Sequence, residues 1–257
     1  LQLELVQHID GDTIFRDFLL KHGEGLHSLT SRFQDNKVVE ALMAEGFRCL
    51  QRMWHGDKAV TTYINIEPLH TIWKFTSSPS VLGAKVGHYP DTKEPEPAIQ
   101  VATIRQVSIV VRDLWDTVKN FWKILDIGPW EIYPLEPPLV HEYEYHGRPA
   151  QSRAKIAFTQ VGRLQLELVQ HIDGDTIFRD FLLKHGEGLN HFNFPVADVD
   201  EVVRVLAEQG FPCLQRAGYG DNGAIAFIDI KPLHSVWELL LIPHDRLIKP
   251  TRYPGYA

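Results

Sequence analysis

The stretch LQLELVQHIDGDTIFRDFLLKHGEGL occurs twice without a single change, at Leu1–Leu26 and at Leu164–Leu189. A long internal repeat determines the architecture, because each copy should belong to an equivalent structural unit. The segments that follow the two copies have diverged but still align, as Gly46–Arg52 does with Gly210–Arg216. The differences between the copies therefore hold most of the functional information.

Length and composition narrow the class of protein. The chain has 257 residues, enough for one large or two ordinary domains, and a net charge of −7, which gives a nucleic-acid partner little electrostatic help. No run of 18 apolar residues exists, so we expect no membrane span. Cys49 and Cys213 occupy equivalent repeat positions and are interpreted as buried thiols, in keeping with a reducing, cytoplasmic location.

The repeated stretch itself has two local patterns. Apolar and polar residues alternate over Leu1–Gln7, which predicts a half-buried strand. Apolar residues at helical spacing follow from Ile14, with Asp12 or Thr13 as the N-cap and Gly23 near the end. The sequence therefore predicts a strand and a short helix in each copy.

The domain organisation follows from the order of these elements. Residues 104–245 are predicted to contain two successive βαβββ units, whereas 1–80 contain only the last strand of one unit and the whole of another. We expect the missing unit to lie outside this sequence, and the apolar sheet face of the half-domain to be covered by that unit, by the C-terminal domain or by another chain. Of these, we expect a partner surface, from a missing upstream segment or from a homodimer. Residues 81–103, rich in Pro, Gly and charge, are predicted to be a linker, and 246–257 a tail.

Four polar residues lie at matching points of the two units in residues 104–245. They are Gln106 in the first strand, Glu167 in the last strand of the first unit, His191 in the first strand of the second unit, and Glu238 in its last strand. A lone carboxylate in apolar strand sequence is costly to bury, and a metal ion relieves that cost. Any single glutamate is better interpreted as pointing outward, but the four together favour a divalent metal site.

This segment resembles the vicinal oxygen chelate (glyoxalase, bleomycin resistance, dioxygenase) superfamily. The resemblance rests on the LELVQ strand, on FRDFLLKHGEGLNHF at Phe178–Phe192, and on Gly128-Pro129-Trp130, and is closest to the methylmalonyl-CoA epimerase-like and glyoxalase-like branches. It implies an α+β fold in which tandem βαβββ modules form a cupped mixed sheet around one divalent ion (Zn, Ni, Co, Mn or Fe). The family's ligand positions map onto Gln106, Glu167, His191 and Glu238. Gln106 argues against the dioxygenases, whose iron site needs a second histidine.

The resemblance implies a metal-dependent proton-transfer enzyme, an epimerase, isomerase or glyoxalase-like lyase, acting on a small carbonyl or thioester substrate. Glu167 and Glu238 are the candidate catalytic bases. A metabolite- or drug-binding protein of the same fold without turnover, and a dioxygenase, remain as alternatives. No cluster of cationic residues for coenzyme A or glutathione is evident in the sequence.

The N-terminal copy has lost the predicted ligands. It keeps Glu4, but Ser28 stands in place of His191 and Lys74 in place of Glu238. A lysine ammonium cannot ligate a metal ion and repels a dication. We therefore expect the N-terminal half to be metal-free, with Lys74 paired to Glu4.

Overall fold

The computed structural model describes residues 3–32, 36–55, 59–77, 99 and 103–255. We call 3–77 the N-terminal region and 103–255 the C-terminal region. Almost all of the linker predicted at 81–103 lies outside the described residues. No helix in the described ranges is long and apolar enough to cross a bilayer.

The N-terminal region forms a four-stranded sheet in the order β1-β4-β3-β2, in which β1 runs parallel to β4. Helix α1 begins where the sequence predicts, since the Thr13 hydroxyl accepts from the N–H of Arg16, and it ends at Gly23 with φ 75°. The elements are α1 (Ile14–His22), β1 (Ser28–Arg32), α2 (Lys37–Ala44), β2 (Arg48–His55), β3 (Ala59–Ile66), a 3-10 turn (Glu67–Leu69) and β4 (Thr71–Thr76).

The C-terminal region forms an eleven-stranded mixed sheet in the order β15-β6-β9-β10-β5-β11-β14-β13-β12-β7-β8. Its first elements are β5 (Gln106–Val111), α3 (Leu114–Leu125), β6 (Trp130–Leu135), β7 (Val140–Tyr145), β8 (Arg148–Pro149), β9 (Ser152–Val161) and β10 (Leu164–Gly174). The chain continues with α4 (Ile177–His185), β11 (Gly188–Pro195), α5 (Val199–Glu208), β12 (Cys213–Tyr219), β13 (Gly223–Ile230), a 3-10 turn (Lys231–Leu233), β14 (Ser235–Leu241) and β15 (Thr251–Tyr253).

The predicted tandem α+β arrangement is confirmed in this region. The first unit contributes the strand order β6-β9-β10-β5 and the second β11-β14-β13-β12, and β5 meets β11 antiparallel where the units join. The β7–β8 hairpin of the first unit pairs with β12 at the far edge of the second, so the two units share one sheet. The segment predicted to be a tail adds β15 to the other edge, beside β6.

Strand alternation divides the side chains of the central strands between two faces. On β5, Val107, Ile109 and Val111 pack into the same apolar cluster as Leu114 and Phe121 of α3. The intervening residues Gln106, Ser108 and Val110 therefore point to the opposite face. This opposite, concave face is where the predicted site residues lie.

The strand predicted at Leu1–Gln7 is wrong for residues 3–7, which form no strand, while Leu1 and Gln2 lie outside the described residues. The identical second copy forms β10, which pairs with β5 on one side and β9 on the other. No described strand pairs with residues 3–9, so the same sequence lacks the partners that a strand needs.

The two regions are joined by an apolar cluster and by two reciprocal histidine–glutamate contacts. Trp73 of β4 lies in the same cluster as Phe121 of α3, with ring centroids 6.5 Å apart. His70 Nδ1 lies 3.4 Å from Glu187 Oε2, and His234 Nε2 lies 2.9 Å from Glu24 Oε2. Because these residues occupy matching positions of the repeat, the contact between regions is pseudo-twofold.

Candidate metal centre

Four adjacent strands at the middle of the sheet, in the order β10-β5-β11-β14, position the candidate site. Glu167 lies opposite Ser108 in the parallel β10–β5 pair, and His191 lies opposite Ser108 in the antiparallel β5–β11 pair. Glu238 lies opposite Asn193 in the β11–β14 pair. The sheet register thus brings residues that are distant in sequence onto one patch of the concave face.

The structure brings three of the four predicted ligands together. His191 Nε2 lies 3.2 Å from Glu167 Oε2 and 3.3 Å from Glu238 Oε2. One ligand atom from each residue falls within 4.8 Å of the others, and all three side chains are buried. We call Glu167, His191 and Glu238 the metal centre. Among the described residues, this is the only group of three or more His, Cys, Asp or Glu side chains that lie close enough to hold one metal ion.

Neighbouring amides orient the members of the metal centre. His191 Nδ1 lies 2.8 Å from Asn190 Oδ1, and a hydrogen bond donated by Nδ1 leaves the lone pair on Nε2 facing the carboxylates. Asn193 Nδ2 donates to Glu238 Oε2 over 2.8 Å. Asn190 and Asn193 therefore hold an imidazole and a carboxylate in position, as outer partners of metal ligands do.

The polar atoms around this point are unsatisfied within the protein. Four buried atoms at this site have no hydrogen-bond partner among the described residues: Ser108 Oγ, Glu167 Oε2, His191 Nε2 and Asn193 Oδ1. Such orphaned groups are rare and costly in protein interiors. One imidazole nitrogen and two carboxylates form a donor set that suits a divalent ion of borderline hardness, so the residues present fit the expected metal.

The electrostatics of the site also favour a cation. Burial raises the pKa of Glu167, and the nearby Glu238 charge raises it further, although His191 acts in the opposite direction. Burial lowers the pKa of His191, but the close approach of the Glu167 and Glu238 carboxylates, at 3.2 and 3.3 Å, outweighs it and raises the value to about 9. Two buried carboxylates with oxygens within 4.8 Å of each other repel, and the repulsion is relieved by a proton on Glu167, by a protonated His191 or by a bound ion.

Gln106 lies at the edge of this arrangement. It is 2% exposed and lines the same cavity as Glu167 and Glu238, but its strand partners are Gln165 and Asn193 rather than the carboxylates. Its role as a ligand therefore stays a prediction.

Sequence reasoning missed Ser108 and Asn193, which contribute two of the four orphaned atoms. The signal was available, because each stands two residues from a predicted ligand on the same strand, at the spacing that returns a side chain to the same face.

The positions of the N-terminal region that match the metal centre hold different side chains. Lys74 forms the expected ion pair with Glu4, and its ammonium lies 5.9 Å from the centroid of the Tyr63 ring. Ser28 stands at the start of β1, where the second copy has His191. The Glu4 carboxylate is thus neutralised by a lysine.

A cavity opens onto the metal centre. Its enclosed space is about 20 Å³, roughly the room that one water molecule needs, and the figure rises to about 440 Å³ when the open solvent at its mouth is counted. Its walls are mainly apolar, with Phe158, Phe178 and Phe227 among them. Two arginines, Arg105 and Arg246, also line it, and sequence reasoning did not predict cationic groups there.

Comparison with known protein families assigns this part of the chain. Residues 105–227 match the family described as Glyoxalase/Bleomycin resistance protein/Dioxygenase superfamily. This segment belongs to that superfamily. The uncharacterized protein YqjC of Bacillus subtilis (strain 168) is 32% identical over 88 residues, which are 34% of this chain and 63% of YqjC. The match therefore spans less than two thirds of the length of YqjC.

Solved structures agree at the level of the fold. A mutant of 4-hydroxymandelate synthase from Streptomyces coelicolor superposes with a TM-score of 0.58 at 14% identity, covering 93% of this chain and 78% of that one. Methylmalonyl-CoA epimerase from Mycobacterium tuberculosis gives a TM-score of 0.40 at 22% identity, covering 56% of this chain and 90% of that one. At 14% identity, the likeness to 4-hydroxymandelate synthase concerns the fold alone.

Proposed function

We propose that the protein is a metal-dependent proton-transfer enzyme, an epimerase, isomerase or glyoxalase-like lyase, acting on a small carbonyl or thioester compound. The observation that supports it is the metal centre, with His191 Nε2 between two buried carboxylates beside a cavity that opens to solvent. A bound divalent ion would supply Lewis-acid polarisation of the substrate's oxygens. Glu167, His191 and Glu238 would hold it, with Gln106 as the proposed fourth ligand.

The chain's own side chains then have separable tasks. Asn190 fixes the imidazole of His191, and Asn193 fixes one oxygen of Glu238. Glu167 and Glu238 are the proposed bases that take the α-proton and return it. The apolar walls of the cavity exclude water from the reacting carbon, which strengthens each electrostatic contact at the site.

The test begins with metal content. Wild-type protein loaded with each candidate ion and dialysed should retain one equivalent by elemental analysis. His191→Ala should lose it while keeping its circular dichroism spectrum, because the only neutral nitrogen in the donor set is removed. Ser28→Ala, at the matching position of the N-terminal region, is the control and should retain the metal.

Proton transfer is measured next, by NMR detection of deuterium exchange into 2-oxo acids, α-hydroxy ketones and acyl thioesters. Exchange that requires both metal and His191 supports the enzyme. Stoichiometric metal with saturable ligand binding but no exchange in any class would point to a binding protein of the same fold. Oxygen consumption by the iron form would point to dioxygenase chemistry instead.

We also propose that the chain associates as a homodimer. The support is the set of exposed apolar side chains in residues 3–9, namely Leu3, Leu5, Val6 and Ile9. Sedimentation velocity at several concentrations should give a dimer. A single monomeric species over the whole range would contradict it.

A further inference from the structure

Two half-buried arginines in the cavity have no carboxylate partner. Arg105 and Arg246, which we call the arginine pair, line the cavity together with Glu167 and Glu238. Neither forms an ion pair of 4.0 Å or less with any described residue. A guanidinium removed from bulk water is costly unless it is paired, so the arginine pair is a candidate site for an anion.

Arg246 is held by aromatic side chains and not by acids. Its Nη1 donates to Tyr133 Oη over 3.1 Å, and it also bonds to the Tyr219 hydroxyl. The guanidinium carbon lies 5.1 Å from the Tyr133 ring centroid and 5.3 Å from that of Phe158. Two phenols use only part of the five-donor fork of an arginine, which leaves N–H groups for a ligand.

The backbone that presents Arg246 is fixed by a turn. The N–H of His244 donates to Asn222 Oδ1 over 3.0 Å, and the N–H of Asp245 donates to Asp221 Oδ1 over 3.1 Å. The N–H of Leu247 donates to Asp245 Oδ1 over 2.8 Å. Hydrogen bonds on both sides of Arg246 thus hold its position, so the side chain is presented to the cavity by an ordered segment.

Arg105 is anchored between two strands beside the metal centre. Its N–H donates to the Asn193 carbonyl over 3.0 Å, and its carbonyl accepts from the N–H of Gln165 over 3.0 Å. The charges of Arg105 and Arg246 act on one another, and that of Arg105 acts on Glu238. Both guanidinium groups and the carboxylates therefore belong to one electrostatic site.

The charge of this site indicates what it accepts. Two guanidinium groups balance the two carboxylates of Glu167 and Glu238, so a bound divalent ion would leave an excess of two positive charges. A substrate with one carboxylate supplies one negative charge, and loss of its α-proton supplies a second. The remaining walls are apolar, formed by Leu135, Ile156, Phe158, Ile225, Phe227 and Leu240.

We propose that the arginine pair binds a substrate carboxylate, so that the ligand of this cavity is a small carbonyl acid with an apolar substituent. The assignment of a carbonyl acid rests on the proposed function, whereas carboxylate binding by the arginine pair is measured separately from turnover. A planar guanidinium fork matches a carboxylate with two parallel hydrogen bonds.

The test compares a carboxylate with its neutral counterpart. Isothermal titration of wild-type protein with 4-methyl-2-oxopentanoate and with its amide should show tighter binding of the acid, by about 10- to 100-fold for a hydrogen bond to a charged group. Arg246→Gln should remove most of this preference by weakening the acid alone. Arg246→Lys keeps the charge without the fork and should give an intermediate preference. Arg204→Gln, on exposed helix α5, is the control and should bind as wild type does.

Several outcomes would overturn the inference. Equal binding of acid and amide, no saturable binding of the acid at millimolar concentrations, or an unchanged preference in both Arg246→Gln and Arg105→Gln would each do so. Inorganic phosphate that displaces the acid at equal concentration would overturn the assignment to a carboxylate. Metal retention and proton exchange are measured on the same preparations. The proposed function therefore stands if these are intact while the acid preference is absent, and fails if metal is absent while the preference persists.

Discussion

At the scale of single residues, the repeat offers matched pairs that differ only in environment. Glu167 and Glu4 occupy the same position of an identical sequence, but Glu167 lies beside His191, whereas Glu4 pairs with Lys74. Glu167→Gln should lower metal affinity by orders of magnitude, because a charged ligand becomes a neutral amide. Glu4→Gln should leave affinity nearly unchanged, as followed by competition with a chromogenic chelator. Equal losses would mean that the two regions build one site together.

His27 gives a prediction about pH at the same scale. Both of its ring nitrogens lack a hydrogen-bond partner among the described residues, and its ring lies against those of Phe15, Phe18 and Tyr63. Burial, together with the nearby charge of His22, lowers the pKa of His27 to about 4. The unfolded chain, with the ordinary value of 6.5, therefore binds more protons between these two values.

Stability should thus be lost as pH falls from about 6.5 to about 4, by on the order of 2 kcal/mol after allowance for partial solvent screening. His27→Asn, which introduces the residue found at position 190, should remove this part of the pH dependence. Urea unfolding of both proteins at several pH values checks it. Parallel stability curves for wild type and variant would show that His27 does not contribute.

At the scale of elements, the repeat separates local from non-local determinants of structure. Leu168 is 0% exposed in β10, whereas its counterpart Leu5 is 92% exposed. Leu168→Ala should cost about 2–5 kcal/mol of unfolding free energy, as truncation of a buried leucine does, and Leu5→Ala about nothing. Urea unfolding of dilute protein measures both. A comparable loss at Leu5 would indicate that residues 3–9 are covered in solution.

The same comparison explains what the sequence could predict. The helices α1 and α4 were predictable because their determinants are local: Thr13 and Thr176 cap them and Gly23 and Gly186 end them, by contacts within a few residues. The strand at Leu1–Gln7 could not be excluded from its alternation, because strand formation depends on partners elsewhere in the chain. Whether a segment forms a helix or a strand can therefore be predicted from the sequence where the stabilising contacts are local.

The candidate site shows the same limit. Glu167, His191 and Glu238 were predictable as polar residues in apolar strands at matching points of two units. The part played by Arg246 was not, because it follows the last strand of the second unit and reaches the cavity through a turn held by Asp221 and Asn222. No periodic pattern connects such a segment with a strand more than a hundred residues earlier.

At the scale of the whole molecule, one apolar cluster crosses the boundary between the two regions. Trp73 is 6% exposed within it, and Trp54, in the same N-terminal sheet, is 66% exposed. Wild-type protein should unfold in urea as one cooperative unit. Trp73→Ala should cost about 3–5 kcal/mol and separate the transition of the N-terminal region from that of the C-terminal region, whereas Trp54→Ala should not. Circular dichroism and tryptophan fluorescence would coincide for the control and diverge for Trp73→Ala.

The identical copies also have a consequence for mass spectrometry. Pepsin digestion after exposure to heavy water would release fragments from Leu1–Leu26 and Leu164–Leu189 with the same composition and therefore the same undeuterated mass. In β10 the amides are hydrogen-bonded to strands on both sides, whereas residues 3–9 have no strand partner among the described residues. Fragments covering this stretch should therefore give two isotope envelopes, one exchanging slowly and one fast, and should converge where both copies enter the same helix.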